Sequence, residues 1–223
     1  MEKINFIDVG CDNNKKGCII SPWNENIEYI NFLLGFDPLL TNSYKEEIEK
    51  TGIKHKLYKK GAFSSNCNRK FYKLFKKDSS SFNLPNLGII NKNKSKKKKD
   101  MYNIESVEII ECIRIDSVIN ELKIDFDFVK IDVQGDEYNA IESIGDYLDT
   151  QIIGVCVEVN YIKNYKNIIL KKKVHKLLTR HKFYRYKKND GVSYVTNDYL
   201  YIRDDEKKNN KVGLIKKIYE DWK

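Results

Sequence analysis

The stretch FDFVKIDV, residues 126–133, decides the fold. Apolar positions run through it almost without a break, as in a central parallel strand covered on both faces. The period then changes: Ala140, Ile141, Ile144 and Leu148 recur at helical spacing. The same alternation appears on both sides. Upstream, Ile4 to Val9 is an apolar run stopped by Gly10, Ile27 to Phe36 a second that stops at Asp37-Pro38, and Lys54 to Phe63 a third. Arg69 to Phe75 reads as an additional strand and Asp78 to Asn86 as a loop or short helix. Val107 to Ile113 then leads into a helix with Val118, Ile119 and Leu122 on its apolar face, which Asp116 is placed to cap. Downstream, Ile152 to Val159 is a buried strand, followed by a helix using Leu170, Val174, Leu177 and Leu178. Phe183 to Tyr186 and Tyr199 to Ile202 form a pair joined through Asn189-Asp190-Gly191, and residues 211–223 close the chain as an amphipathic helix. Strands alternating with helices, ending in a hairpin-like pair, indicate an α/β fold with a mostly parallel sheet.

The 223 residues suit one domain, and 41% hydrophobic content supports a core without disulfides or metals. A net charge of +9 raises a nucleic-acid partner, but its distribution argues against one. The low-complexity segment 91–100 holds Lys92, Lys94 and Lys96 to Lys99 against Asp100 alone, and supplies five of the nine charges. Only Arg69, Arg114, Arg180, Arg185 and Arg203 carry the planar guanidinium that phosphate and base recognition favours. The lysine segment is therefore expected to be a solvated loop, dispensable for folding. Five cysteines with no C-x-x-C pair suggest neither a zinc site nor a disulfide framework. With no signal-peptide pattern and no apolar run near the length of a spanning helix, the expectation is a soluble, cytoplasmic protein without membrane insertion.

In open α/β sheets ligands bind beyond the carboxyl ends of the strands, so the polar residues there are the candidates. Asp8 to Gly10 closes the first strand, Asp37 the second, Asp132 the fourth and Glu158 the fifth. A carboxylate ending a buried strand is costly unless paired or working. Asp37 is placed to accept hydrogen bonds from both hydroxyls of a ribose, which suits NAD and S-adenosylmethionine alike. No G-x-G-x-x-G follows the first strand, which disfavours a pyrophosphate cofactor. S-adenosylmethionine has no phosphate, and its sulfonium and ammonium groups need negative surroundings.

The segment DFVKIDVQGDE, residues 127–137, resembles the most characteristic motif of FkbM-type methyltransferases, roughly D-[FL]-[IV]-K-[IL]-D-x-[EQ]-G-x-E. The resemblance continues in order along the chain: FIDVG at 6–10, GFDP at 35–38, SSSF at 79–82 with Pro85-Asn86, VEV at 157–159 with Tyr165, and NDYLY at 197–201. It implies the Rossmann-like class I methyltransferase fold, a seven-stranded, mostly parallel sheet with an antiparallel last strand and helices on both faces. It also implies S-adenosylmethionine as cofactor and O-methylation of a sugar, glycan or other small-molecule hydroxyl. Carried over by position, Asp8, Gly10, Cys11 and Asp37 would hold the amino-acid and ribose parts of the cofactor. Ala62 and Phe63 would border adenine, and Ser80 and Ser81 lie in the loop near the site. The first turn departs from the family's D-V-G-A-N-x-G, with Asn14 where the second glycine stands.

A hydroxyl acceptor must lose a proton to a base or to a metal-bound oxygen. No histidine falls at a strand's carboxyl end, which leaves Asp132, Glu158 and Glu137 as the catalytic candidates. Asp132 and Glu158 end neighbouring strands and can share a proton or, less expectedly, a divalent cation, Mg²⁺ or Ca²⁺ before Zn²⁺. Two other readings stand beside the enzyme: a catalytically silent Rossmann-type interaction protein, motivated by Asn14, and a nicotinamide oxidoreductase. The acceptor and the oligomeric state are left open.

Overall fold

The computed structural model describes residues 2–12, 21–93, 100–189, 195–220 and 222. Its strands are β1 (Ile4–Val9), β2 (Ile30–Phe36), β3 (Lys54–Tyr58), β4 (Gly61–Ala62), β5 (Cys67–Leu74), β6 (Ile104–Ile113), β7 (Phe128–Ile131), β8 (Gly154–Asn160), β9 (Tyr184–Lys188) and β10 (Thr196–Ile202). Its helices are α1 (Asn42–Lys50), α2 (Leu87–Asn93), α3 (Ile115–Leu122), α4 (Glu137–Glu142), α5 (Tyr147–Thr150), α6 (Lys171–Arg180) and α7 (Asn209–Ile218). Seven strands form one sheet in the order β3-β2-β1-β7-β8-β10-β9. Pairing is parallel from β3 to β8, and β10 runs antiparallel to both of its neighbours. The order reverses between β1 and β7, where a crevice opens at the carboxyl edge.

Side chains alternate across each strand, so the two faces bury separate cores. On one face Ile7, Val9, Val129, Ile131, Val155 and Val157 pack under α3, α4 and α6. On the other, Ile4, Phe6, Phe128 and Leu200 pack under α1, α7 and Trp23. Trp23 lies 5.1 Å from both Phe6 and Phe128, and its indole N–H donates to the Tyr219 hydroxyl at 3.1 Å. Burial of this many large side chains on both faces is what holds the sheet; each fully buried one contributes about 1.5–3 kcal/mol.

Several boundaries differ from the sequence reading, for local reasons. The third strand stops at Tyr58, and Gly61–Ala62 instead pairs with β6 in a second, three-stranded sheet of order β4-β6-β5. The two strands expected at 69–75 and 107–113 are partners in that sheet. Asp116 does not cap α3: Arg114 holds the N-cap position, and its guanidinium grips the Asp116 carboxylate. The helix expected from Ala140 to Leu148 is two helices, broken near Gly145 at φ +59°. The last helix spans Asn209–Ile218. Residues 94–99 of the lysine segment and the Asp190-Gly191 turn lie outside the described residues. Among the described residues no helix is long and apolar enough to cross a membrane.

Candidate active site

Several residues of the 127–137 motif have separate structural tasks. Asp127, at the far end of β7 from the crevice, is fully buried and takes Lys208 and Lys211, each at 2.8 Å, which ties the start of α7 to the sheet. Lys130 is also buried, 3.4 Å from Asp8, and donates to the Gly10 carbonyl at 3.2 Å. Burial opposes its charge, but Asp8, Asp132 and Asp198 outweigh that and hold the ammonium above its ordinary range. Burial pushes the Asp8 carboxyl up while Lys130 pulls it down. Truncating either partner would leave the other buried and uncompensated.

Gly10 follows β1 at φ +82°, and a Cβ there would sit 2.0 Å from the Asp132 carbonyl oxygen. Only glycine allows the first turn to lie against the end of β7. The Gly10 N–H donates to the Phe36 carbonyl at 2.8 Å, which draws the ends of β1, β2 and β7 together.

Over these ends lies a cavity of about 400 Å³. On the β1–β2 side its polar walls are Asp12 and Asp37. The two Asp37 oxygens accept the backbone N–H groups of Leu39 at 2.7 Å and Asp12 at 3.1 Å, and Asp12 accepts that of Thr41 at 2.6 Å. Burial nevertheless drives the Asp37 carboxyl up to about 7. On the β7–β8 side stand Asp132 and Glu158, joined by Gln134. One Gln134 amide nitrogen donates to Asp132 at 2.7 Å and to Glu158 at 3.3 Å. Gln134 adopts φ +56°, uncommon for a residue with a side chain, and its carbonyl accepts the Ser81 hydroxyl at 2.7 Å. Burial, then the charges of Asp132, Glu137 and Asp198, raise the Glu158 carboxyl well above the usual range. The three-stranded sheet and the loop after it close the top with Ala62, Phe71, Ser80 and Phe82.

Of the eleven residues nominated from sequence, Gly10, Asp37, Ala62, Ser80, Asp132 and Glu158 line this cavity. Five do not. Asp8 is beneath the floor with Lys130. Cys11 points into the core on the α1 face, against Gly35. Phe63 lies under the Arg69 guanidinium, 4.0 Å from its ring. The Ser81 hydroxyl is spent on Gln134. Glu137 is enclosed in the wall, accepting the Gly135 N–H at 2.7 Å and the Asn160 amide at 3.3 Å, with burial driving it up to about 8. Sequence reasoning missed Asp12, Gln134, Asn164 and Thr196, all of which line the cavity. Gln134 stood inside the quoted motif and was legible; Thr196 begins β10, one residue before the quoted NDYLY stretch, and arrives through that strand's antiparallel return. Asn14 lies outside the described residues.

Six acidic residues line this cavity, Asp12, Asp37, Asp78, Asp132, Asp136 and Glu158, against Lys60, Lys76 and Lys77, and a lining with more carboxylates than ammonium groups suits a cation-bearing ligand better than a phosphate. Among the described residues no group of three or more His, Cys, Asp and Glu side chains converges as metal ligands do. The model of the methyltransferase FkbM domain matches residues 22–187. No curated protein matches the chain in sequence. Among solved structures, a methyltransferase FkbM from Methylobacillus flagellatus KT shares 9% identity at TM-score 0.49, covering 89% of this chain and 43% of that one. This chain therefore spans less than half of that protein. The magnesium protoporphyrin IX methyltransferase of Synechocystis PCC 6803, solved with bound SAM, shares 10% identity at TM-score 0.44, covering 91% of this chain and 71% of that one. With the family model matching most of its length, the chain belongs to the FkbM methyltransferase family.

Proposed function

We propose that this protein transfers a methyl group from S-adenosylmethionine to a hydroxyl of a sugar, glycan or other small molecule, in the cytoplasm. The observation that carries the reading is the division of the cavity: Asp37 and Asp12 at the ends of β1 and β2, Asp132 and Glu158 at the ends of β7 and β8. Both Asp37 oxygens keep a lone pair free beyond their backbone donors, as a ribose diol requires. The carboxylate lining offsets the positive charge that this cofactor carries, and Gly10 brings backbone close to it. When bound, the cofactor supplies an electrophilic methyl carbon.

The chain's own residues supply the rest. Methyl transfer is an in-line displacement, so holding the acceptor oxygen in line supplies much of the acceleration. Asp132 faces the cavity and takes the hydroxyl proton, while Gln134 fixes its carboxylate by a charge-assisted hydrogen bond. Burial and the neighbouring charge of Asp132 raise the Glu158 carboxyl, which favours its neutral form and eases repulsion between the two. Ala62, Phe71 and Phe82 exclude water from above.

Titration calorimetry tests the cofactor half directly. S-adenosylhomocysteine should bind and NAD should not; the reverse outcome would sink the reading, and binding of neither would favour a silent interaction protein. EDTA should leave turnover unchanged, since proton transfer to Asp132 needs no cation. Loss of activity with EDTA would move the role of Asp132 and Glu158 to metal ligation.

A further inference from the structure

Beside the carboxylate-lined cavity lies a second hollow of about 450 Å³, walled mostly by carbon from Leu84, Pro85, Leu87, Tyr102 and Ile104, with Lys166 at its edge. Leu87 and Ile104 are 53% and 45% exposed, and Phe75, more exposed still, flanks them by donating its N–H to the Asn103 carbonyl. Large apolar side chains gathered around a hollow and left in water mark a ligand site rather than scattered surface.

One thin wall separates the two spaces. Tyr102 lines both. The remainder is a short antiparallel ribbon: the Asn86 N–H donates to Asn164 and the Lys166 N–H to Leu84, each at 2.7 Å, with Pro85 opposite Tyr165. Along that ribbon Asn164 belongs to the cavity, whereas Leu84 and Lys166 belong to the hollow. The wall is held in place from the reaction side, because the Tyr165 hydroxyl donates to the Ser79 carbonyl at 2.7 Å and approaches Gln134 at 3.3 Å. Both spaces open to the surface on either side of Tyr102, so a ligand that lies over this shared edge, with one polar and one apolar end, matches both at once.

We propose that the methyl acceptor is an amphiphile whose hydroxyl-bearing head sits beside Asp132 and whose apolar chain, acyl or isoprenoid, lies in the hollow between Leu87 and Ile104. The assignment rests on the methyl-transfer reading above for the role of the head. The hollow itself stands on its lining.

The test uses n-octyl β-D-glucoside below its micelle concentration and methyl β-D-glucoside, titrated into protein saturated with S-adenosylhomocysteine. The octyl compound should bind at least about tenfold more tightly, since each buried methylene adds to affinity. Leu87→Asp and Ile104→Glu, both at exposed positions, should each remove most of that difference and leave S-adenosylhomocysteine affinity unchanged. A photoreactive diazirine at the chain end should label residues 84–88 or 103–104, and one on the sugar should label 132–136 or 158–164. Equal affinity for the two glucosides, or a preference undiminished in both variants, overturns the proposal, as does a sugar-borne label absent from the cavity segments. If S-adenosylhomocysteine fails to bind, the methyl-transfer reading falls and takes the acceptor role with it. If it binds and the glucosides do not differ, only the amphiphile is refuted.

Discussion

The two halves of the cavity hold their carboxylates by different means. On the β1–β2 side the backbone does it, with Asp37 and Asp12 each taking main-chain N–H groups. On the β7–β8 side one glutamine amide serves both Asp132 and Glu158. Backbone donors move only when the chain moves, whereas a side-chain amide turns about its own bonds. The first arrangement fits a ligand gripped in the same way throughout turnover. The second fits groups whose charge changes as a proton arrives and leaves.

The sharpest way to break this contrast is Asp132→Asn, which keeps size and removes basicity. We expect a rate lower by roughly 10²–10⁴, the usual share of general acid–base catalysis, with folding nearly intact. Single-turnover kinetics on the true acceptor measure it. Normal turnover in both Asp132→Asn and Glu158→Gln would show that the two halves do not differ in kind.

Asp37→Ala addresses the backbone-held half. It should weaken S-adenosylhomocysteine binding by about 1.5–3 kcal/mol, the worth of a hydrogen bond to a charged group. An unchanged dissociation constant by calorimetry would place the cofactor elsewhere.

Glu137 belongs to the second half by position and to the first by its bonds, since it accepts a backbone N–H and an asparagine amide inside the wall. Glu137→Ala should cost about 1–3 kcal/mol of stability in urea titration by stranding those donors. Its folded carboxyl, driven by burial to about 8 from an ordinary 4.5, prefers the protonated form. The stability it contributes is therefore complete below about 4.5 and lost as pH rises through about 8. Glu137→Gln, uncharged throughout, should flatten that dependence of the unfolding midpoint. An identical pH slope in both proteins would mean that Glu137 is ionised in the fold.

The smallest effect is expected of Cys11→Ala, about 1 kcal/mol of stability, because its side chain faces the core rather than the cavity. S-adenosylhomocysteine affinity should stay within about twofold. A larger loss would bring Cys11 back to the binding surface.

The seven-stranded sheet was legible because its central strands are buried runs such as Phe128–Ile131, whose hydrophobicity speaks for itself. The smaller sheet was not. β5 and β6 mix charged and apolar residues and find each other across a long excursion of the chain, so each strand could be read but their pairing could not. The candidate site shows the same split. Asp37, Asp132 and Glu158 announce themselves as carboxylates ending apolar strands, whereas Asp8 follows the same pattern and turns out to be neutralised from below by Lys130. Alternation along β1 gives the side of the sheet, but not the height at which a neighbouring lysine ends. Gln134 stands inside the quoted motif, but its bridge between Asp132 and Glu158 depends on a left-handed backbone that composition does not signal.

The contact between Gly10 and the carbonyl of Asp132 has a consequence for how this protein can change. Main chain rests on main chain there, so no side chain can be introduced at position 10 without parting β1 from β7. The roof differs, because side chains build it: Ala62, Phe71, Ser80 and Phe82 line the cavity from above and can be exchanged without touching that contact. An engineer seeking a new substrate would graft that cover and leave the plate beneath untouched.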